Sequence, residues 1–577
     1  NFTKDQEFRE QLSVDWFIRD GLRLKGQMAI VKGETSGEIY KSPFSAEFLK
    51  TTYNSESRVQ EYLPIAERGY LSMTDGASFS YDGNVTLNYN TLVNEKHIIY
   101  AGVSLEVTQN DNNSHGFIMT GFPDDRYSDP AFAIQYKKET KPSSSESKSR
   151  AIGFFANGNY SYDDRYFADV SVRIDGSSKF GADKKYAPFW SAGAGWNVHN
   201  EKFFKHTKIS MLKLRYSYGV TGNQEFSAYQ AKTMFQFNTD RLYNSGISAA
   251  LMGYGNPDLE WQNQYQSNYG FDFGYAKDRI RLQFNYYQKK TEGMLTSVSV
   301  APSLGLPSNT FTSNLGKIQN KGVEVNLNAV LIRDQGKDFE WSVMLQAAHN
   351  KNKIMEISTA LKNINEKNNQ DKTTPAAVYE EGESMSAIKA VPSLGIDPTT
   401  GQELFMKKDG TITYTWDATD KVICGDSEPK VFGNVGTNLY WKGWNLNMVF
   451  KYDLGADYYN STLAERVEGA NPRYNADRRV LNNRWKEPGQ HALYKNIKEY
   501  TTTYISSRFV QKENTLQLTS LSLSYDLNRE WIRKFGLNTM RLSFYMNDVF
   551  RASTVKNERG LDYPFQRSFV FGLNIGF

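Results

Sequence analysis

Apolar and polar positions alternate in short segments along most of this chain. The clearest case is the C-terminal segment, whose apolar face carries Phe569, Phe571, Leu573, Ile575 and Phe577. A period of two predicts a β-strand with one apolar face and one more polar face. The same pattern recurs from the first residues onward, and we count about seventeen such strands.

The connections between these strands alternate between short and long. The short ones are tight turns or a compact amphipathic stretch. The long ones run over residues 33–78, 109–150, 176–187, 221–262, 289–318, 349–430, 453–508 and 550–565. An outer-membrane barrel has this layout, with short periplasmic turns and long extracellular loops. We therefore predict an all-β fold, a transmembrane antiparallel β-barrel located in the cell outer membrane.

The faces opposite the apolar rows are polar in a consistent way. Lys213 and Arg215 alternate with Leu212, Leu214 and Tyr216. A charge on a lipid-facing row costs about 2–4 kcal/mol at the midplane, so we assign the charged rows to the lumen. The alternative is an ordinary antiparallel sheet with one solvated face, as in a secreted sandwich or propeller.

Composition agrees with strands rather than helices as membrane-spanning elements. The chain has 577 residues, 14% of them aromatic, and we find no apolar run near the ~20 residues that a membrane helix needs. A net charge of +4 does not suggest a nucleic-acid-binding protein. Cys424 is the single cysteine, so it cannot form an internal disulfide.

No catalytic or metal-ligating constellation is present in the sequence. The stretch Asn110-Asp111-Asn112-Asn113 lacks the spaced carboxylates and the closing Glu of a calcium loop. The six His residues show no pair at ligand spacing, and neither a nucleophile elbow nor a phosphate loop occurs. We therefore predict no enzyme activity, no catalytic residue, no metal and no cofactor.

The first strand ends in a tight turn at Arg19–Gly21, so it runs toward the periplasm. A barrel that starts in the periplasm begins with a strand in the opposite direction, and bacterial single-chain barrels have an even number of strands. We therefore expect several strands, and the segments that precede them, to lie upstream of this chain.

Five motifs at the junctions of strands and loops resemble one known family. They occur in the same order as in that family, at 176–181 (GSSKFG), 212–224 (LKLRYSYGVTGNQ), 256–261 (NPDLEW), 320–324 (NKGVE) and 425–430 (GDSEPK). Together they resemble the SusC/RagA family of TonB-linked outer-membrane transporters of Bacteroidota, over nearly the whole chain. One departure is Gly433-Asn434, where the family often has a second Gly.

The resemblance implies that residues 1–577 are the C-terminal part of a TonB-dependent transporter barrel, about 17 of an expected ~22 strands. It also implies a signal peptide, a TonB box, a plug and the first strands outside this chain. Its expected partners are a SusD-like surface lipoprotein, the upstream plug and barrel segment, TonB, outer-membrane lipid and a dimer of SusCD-like pairs. The family's substrates are oligosaccharides or peptides too large for passive porins.

Aromatic residues in the long loops are the candidate substrate contacts, because aromatic faces stack on sugar rings and are enriched at interfaces. The alternative is packing of one loop on another or contact with the lipoprotein. These candidates are Tyr229, Phe235, Phe237, Tyr243, Trp416, Tyr458 and Tyr459. Phe577 is the candidate barrel-assembly signal, as an aromatic residue at the C-terminus of a barrel strand.

We therefore expect active import through the outer membrane, with substrate captured between the loops and the lipoprotein. Two other functions stay open. One is a passive outer-membrane pore or scaffold, which a missing plug would favour. The other is a surface glycan-binding β-protein, which extraction without detergent would favour.

Overall fold

A computed structural model shows a chain made mostly of β-strands. It describes residues 2–53, 58–138, 140–181, 184–204, 208–223, 229–243, 246–299, 310–314, 316–357, 362, 365–366, 368–373, 375–471, 477–499, 501–556 and 567–577. The strands of the N-terminal part are β1 (Phe2–Arg19), β2 (Leu22–Lys41), β3 (Leu49–Tyr53), β4 (Arg58–Tyr62), β5 (Tyr70–Val93), β6 (His97–Thr120), β7 (Gln135–Tyr136), β8 (Ser143–Tyr162), β9 (Tyr166–Ser177), β10 (Tyr186–Asn197), β11 (Ile209–Asn223), β12 (Met234–Tyr243) and β13 (Gly246–Gly253).

The second half of the chain continues in the same way. Its strands are β14 (Gln262–Tyr275), β15 (Ile280–Glu292), β16 (Leu295–Ser299), β17 (Thr310–Asn314), β18 (Lys317–Asp334), β19 (Phe339–Glu356), β20 (Ala387–Ala390), β21 (Ser393–Ile396), β22 (Glu403–Met406), β23 (Ile412–Thr413), β24 (Val422–Asp426), β25 (Val431–Trp441), β26 (Trp444–Tyr459), β27 (Val510–Asp526), β28 (Thr539–Ser553) and β29 (Phe569–Gly576).

Helices are few and short. An α-helix, α1, covers Arg529–Ile532, and a π-helix covers Thr462–Glu468. Residues 362, 365–366 and 368–369 are also α-helical. The 3₁₀ turns are Ala46–Phe48, Ile65–Glu67, Pro130–Phe132, Val198–Asn200, Lys202–Phe204, Gln335–Lys337, Ala418–Asp420, Arg478–Leu481, Ser507–Phe509 and Arg533–Phe535. Within the described residues, none of the helices has the length and apolar character needed to cross a bilayer.

Eighteen strands of the described chain belong to one hydrogen-bonded sheet, and the shortest of them, β7, has two residues. The seventeen that are left confirm the predicted number of strands. Their connections also follow the prediction, since tight turns alternate with long loops. At the turns after β5 and β8, Asn94, Glu95, Asp163 and Asp164 all have positive φ, as the two central residues of a type I′ turn require.

Contacts divide the chain into two compact units. Unit 1 comprises residues 1–161, 169–190 and 224–261. In it, β1 pairs with β2, β2 with β5 and β5 with β6, each antiparallel to the next. The β3–β4 and β12–β13 hairpins belong to the loops of this unit.

Unit 2 comprises residues 162–168, 191–223 and 262–577. Strands β11, β14, β15, β18, β19 and β25–β29 each pair antiparallel with the next in that order. The long loops of this unit carry three small sheets among the described residues. Strand β16 pairs with β17, β20 pairs with β24, and β21, β22 and β23 form a three-stranded sheet.

Several strands are longer than the hydrophobic pattern predicts. The predicted loop 33–78 contains the end of β2 and the start of β5, where Lys41 pairs with Tyr70. The predicted loop 109–150 likewise contains the end of β6 and the start of β8. Strand pairing continues through the largely polar stretches 33–38, 74–78 and 109–116, and a polar strand has no alternation to detect. Beyond them, Leu71, Met119 and Phe122 form a buried apolar cluster.

Candidate functional site

The apolar rows of unit 2 lie together on one face of its sheet. Phe271 stacks on Phe284 with ring centroids 5.2 Å apart, and Tyr216 lies 4.8 Å from Tyr269. Leu214 stays 44% exposed on the same face. Cross-strand aromatic pairs stabilise a sheet. Large apolar side chains that stay exposed over many strands indicate a surface made for lipid.

The opposite face of the same strands carries a charged hydrogen-bond network. Arg215 donates to both carboxylate oxygens of Asp272, at 3.0 and 2.8 Å, and to Asn285 Oδ1 at 3.1 Å. Both partners of this ion pair are less than one-third exposed. The charges therefore satisfy each other on the face away from the apolar rows, as the sequence predicts for the lumen.

A row of side-chain amides crosses four strands of this polar face. Gln283, Asn326, Gln346 and Asn434 are register neighbours on β15, β18, β19 and β25. Asn434 Nδ2 donates to Gln346 Oε1 at 3.1 Å. An amide side chain both donates and accepts hydrogen bonds without carrying a charge. This row can therefore form hydrogen bonds with hydroxyl groups and with peptide groups.

Two of the sequence motifs meet in a polar cluster beside this row. Asn350 accepts a hydrogen bond from the Tyr287 hydroxyl at 3.0 Å and donates to Asn320 and Glu428 at 3.2 and 2.5 Å. A Cβ at Gly322 would lie 2.4 Å from the Tyr287 ring. The NKGVE and GDSEPK motifs thus have a structural reason: they supply the polar partners and the space for Tyr287.

An open cavity of ≈ 450 Å³ lies beside the GDSEPK motif in unit 2. Arg551 pairs with Glu513 at 3.0 Å, and Lys451 pairs with Asp453 at 3.2 Å, in its wall. The cavity therefore combines both signs of charge. The lining residues are Ser427, Glu428, Pro429, Phe432, Lys451, Asp453, Ala456, Glu513, Thr515 and Arg551.

Two further motifs pack against each other in unit 1. Phe180 of GSSKFG stacks on Trp261 of NPDLEW with ring centroids 4.3 Å apart, and both side chains are buried. The Gly181 amide donates to the Leu259 carbonyl at 3.4 Å. A Cβ at Gly181 would lie 1.7 Å from the Pro257 carbonyl oxygen. These motifs fasten two loops to each other, and only glycine fits at the closest point.

The candidate aromatics of unit 1 have different environments. Phe235 and Phe237 project from the same face of β12 and are 60% and 69% exposed. Tyr229 is partly buried, and its hydroxyl accepts a hydrogen bond from the Lys148 amide at 2.9 Å. Tyr243 pairs with Gly246 through its backbone at the end of β12, and its side chain lies outside the described residues.

The candidate aromatics of unit 2 pack against neighbouring residues, and Tyr458 and Tyr459 lie at the end of β26 rather than in the predicted loop 453–508. Trp416 stacks on Tyr504 at 5.1 Å, and its indole N–H donates to the Ile505 carbonyl at 2.9 Å. Tyr459 lies edge-to-face on Phe509 at 6.0 Å, and Tyr458 beside it is partly buried. The structure thus brings Trp416 into a loop-to-loop contact, whereas Phe235 and Phe237 present free ring surface.

A buried ionic cluster between the long loops of unit 2 escaped the sequence analysis. Arg508 pairs with Glu403 at 2.8 Å and with Glu468 at 2.5 Å, and the Glu468 side chain is 0% exposed. Burial disfavours the charge on Arg508, but the two carboxylates outweigh it and raise the pKa of Arg508. Burial lowers the pKa of neighbouring Lys495. These residues lie far apart in sequence and follow no period, so no local pattern reveals them.

Phe577 follows β29 and is 87% exposed, and Phe571 on the same row is 75% exposed.

In the part of the chain that the structure describes, no group of three or more His, Cys, Asp or Glu side chains is arranged to hold a metal. Cys424 is a free thiol that donates weakly to the Ala390 carbonyl at 3.4 Å.

A family model described as "TonB dependent receptor-like, beta-barrel" matches residues 5–549. The chain therefore belongs to the TonB-dependent receptor family, and it is an outer-membrane β-barrel protein. TonB-dependent receptor P3 of Formosa agariphila is 26% identical, over 94% of this chain and 58% of that protein. TonB-dependent receptor SusC of Bacteroides thetaiotaomicron is 24% identical, over 74% of this chain and 44% of that protein.

The structure of the RagAB peptide transporter is similar in fold. Its matching chain has a TM-score of 0.83 at 21% identity, over 96% of this chain and 59% of that one. The present chain thus spans a little over half of the length of its relatives P3 and the RagAB chain. These similarities confirm the predicted barrel fold and the resemblance to SusC and RagA.

Proposed function

We propose that the chain forms the barrel of a SusC-like TonB-dependent transporter that actively imports oligosaccharides or peptides. The observation that carries the proposal is the division of the sheet into an exposed apolar face and a polar face with amide and charged side chains. A wall of this kind seals against lipid and offers hydrogen bonds to a polar cargo. Membership of the TonB-dependent receptor family supports the energy source.

Both proposed cargo classes suit the polar face. Oligosaccharides present hydroxyl groups and peptides present amides, and the row of side-chain amides suits either. The cavity with Arg551, Glu513 and Lys451 adds paired charges of both signs, which suit peptide termini and side chains. The RagAB protein of similar fold is a peptide transporter, which agrees with that second class.

The remaining partners follow from the same proposal. A SusD-like surface lipoprotein covers the long loops, and the assembly is a dimer of such pairs. An upstream segment supplies the plug, the remaining strands and the contact with TonB, which couples transport to the inner membrane. Among the aromatic candidates whose side chains the structure describes, Phe235 and Phe237 are the most exposed. We therefore propose that these two residues contact the cargo or the lipoprotein.

Uptake by cells tests the mechanism. The complete receptor and its lipoprotein are expressed with and without TonB, and uptake of labelled peptide and oligosaccharide mixtures is measured. We expect uptake of one class that stops when TonB is absent. Equal uptake without TonB would reject active import and favour the passive pore.

The loop aromatics have a separate test in the same cells. Phe235→Ala with Phe237→Ala is compared with Phe203→Ala, an equally exposed phenylalanine at the short connection between β10 and β11. We expect reduced uptake for the double variant alone, at an unchanged amount of receptor in the membrane. Equal uptake in all three receptors would remove these residues from the site.

A further inference from the structure

A second cavity lies in unit 1, on the side of the sheet that carries the apolar rows. Its volume is ≈ 510 Å³. A Cβ at Gly176 would lie 2.4 Å from the Tyr186 ring and 3.1 Å from Ile152, so these three residues share one face. The exposed side chains of Phe154, Val172 and Ile174 follow the same alternation below the cavity. The cavity thus continues the lipid-facing surface.

The height of the cavity follows from the strand that leads to it. Strand β9 begins after the tight turn at Asp163-Asp164 and reaches the cavity at Gly176. A membrane strand needs ~9–11 residues to cross the hydrocarbon core, which is the length of chain between the turn and Gly176. Short turns lie on the periplasmic side, so the cavity lies at the headgroup level of the outer leaflet.

The charged side chains of the lining are all basic. Arg150, Lys185 and Lys232 are all exposed, and the lining contains no carboxylate among the described residues. None of the three cations has an ion pair within the described part of the chain. Arg150 Nε donates to Gln109 Oε1 at 2.8 Å, and its backbone amide donates to Ser178 Oγ at 2.9 Å. Arg150 is thereby held in place at the edge of the cavity.

Most of the remaining lining is apolar or aromatic, and Thr108, Ser177 and Ser178 are its neutral polar residues. Tyr81, Val107, Ile152, Phe180 and Tyr186 contribute to it. An apolar wall that opens toward lipid, beneath a group of cations at headgroup height, matches a molecule with an acyl chain and an anionic head. A free anion would use the cations alone and would have no use for the apolar wall.

We propose that this cavity binds a phosphorylated lipid of the outer leaflet. The phosphate lies between Arg150, Lys185 and Lys232, and an acyl chain runs past Ile152 along the row of Phe154. Such a lipid ties the GSSKFG loop and the loop around Lys232 to the membrane surface. This site is separate from the proposed cargo contacts, because it lies on the apolar face of the unit 1 strands and cargo is proposed to contact a polar face.

Native mass spectrometry of the complete receptor in detergent tests the site, with diphosphoryl lipid A as the probe. We expect a retained adduct whose affinity falls about thirtyfold in the Lys185→Gln/Lys232→Gln variant, from two lost cationic contacts. The Lys185→Arg/Lys232→Arg variant keeps the charge, and it should keep the adduct.

Three comparisons decide the outcome. Lys202→Gln/Lys208→Gln changes two exposed lysines at the short connection between β10 and β11 and should leave binding unchanged. Dephosphorylated lipid A should bind much more weakly than the probe, and inorganic phosphate should not displace it. Equal losses in both Gln variants, equal binding of the dephosphorylated lipid or displacement by phosphate would each overturn the proposal.

Discussion

Arg508 neutralises two carboxylates that have almost no access to solvent, Glu403 and Glu468. Removal of one partner of a buried ion pair costs about 3–5 kcal/mol, because the other charge stays buried and unpaired. We therefore expect Arg508→Met to loosen the two long loops that carry Glu403 and Glu468. Hydrogen exchange of peptides from 393–406 and 460–509 should show the loss of protection.

The matched control for Arg508 is Arg126→Met. Arg126 also pairs with a carboxylate, Asp124, but its side chain is 78% exposed. Exposed pairs contribute roughly 0–1 kcal/mol, so its local protection should hardly change. Similar changes in the two variants would show that the buried cluster does not hold the loops together.

Gly181 permits the closest approach between two loops in unit 1. A Cβ there would lie 1.7 Å from a backbone oxygen, which cannot rotate away, so Gly181→Ala should destabilise the receptor by about 1–3 kcal/mol or more. Gly253→Ala is the control, since nothing lies within 4 Å of its Cβ position. Thermal unfolding in detergent compares the two, and equal midpoints would contradict the packing explanation.

Single residues in the long loops were the least predictable part of the chain. The sequence places Trp416 and Phe237 in the same class, as aromatic residues with polar neighbours. Their partners differ, because Trp416 binds Ile505 across 89 residues while Phe237 lies on an exposed hairpin. No local pattern contains such long-range contacts, so a contact with cargo stays a prediction for all of these aromatics.

At the scale of the strand, the assignment of faces has a direct test. Phe271 lies on the apolar face of β14 a few residues from the turn, and Gln283 lies on the polar face of the neighbouring strand β15. A cation on the lipid face costs about 2–4 kcal/mol near the midplane, whereas the lumen tolerates one. Unfolding in lipid vesicles should therefore show a large loss for Phe271→Arg and a small one for Gln283→Arg. A larger loss for Gln283→Arg would reverse the faces.

The same physics explains which strand boundaries could be predicted. Inside the bilayer one face must be apolar, so alternation marks strands such as β14 and β29 in the sequence. Beyond the bilayer, β2 and β5 stay paired from Gly33 with Ser78 to Lys41 with Tyr70. Neither face of the strands has to be apolar there. Backbone hydrogen bonds still stabilise the strands there, but apolar and polar side chains no longer alternate, so the sequence does not indicate a strand.

At the scale of the whole molecule, the strands of the barrel were predictable because each membrane segment obeys the same rule. The small sheets of the loops were not, since β12–β13 and β21–β23 depend on local turns and on contacts far away in sequence. The family motifs lie where the membrane strands meet the loops. They marked junctions such as Phe180 with Trp261, whose packing only the structure shows.

The whole-molecule alternatives, active importer and passive pore, differ in electrical conductance. A barrel of roughly 22 strands encloses a lumen wide enough for ions unless a plug fills it. We therefore expect the complete receptor in a planar bilayer to show almost no steady current, whereas a general porin in the same bilayer conducts. A lumen of this width retains cargo against diffusion only when it is closed. Steady current through the complete receptor at the level of the porin would therefore contradict the importer.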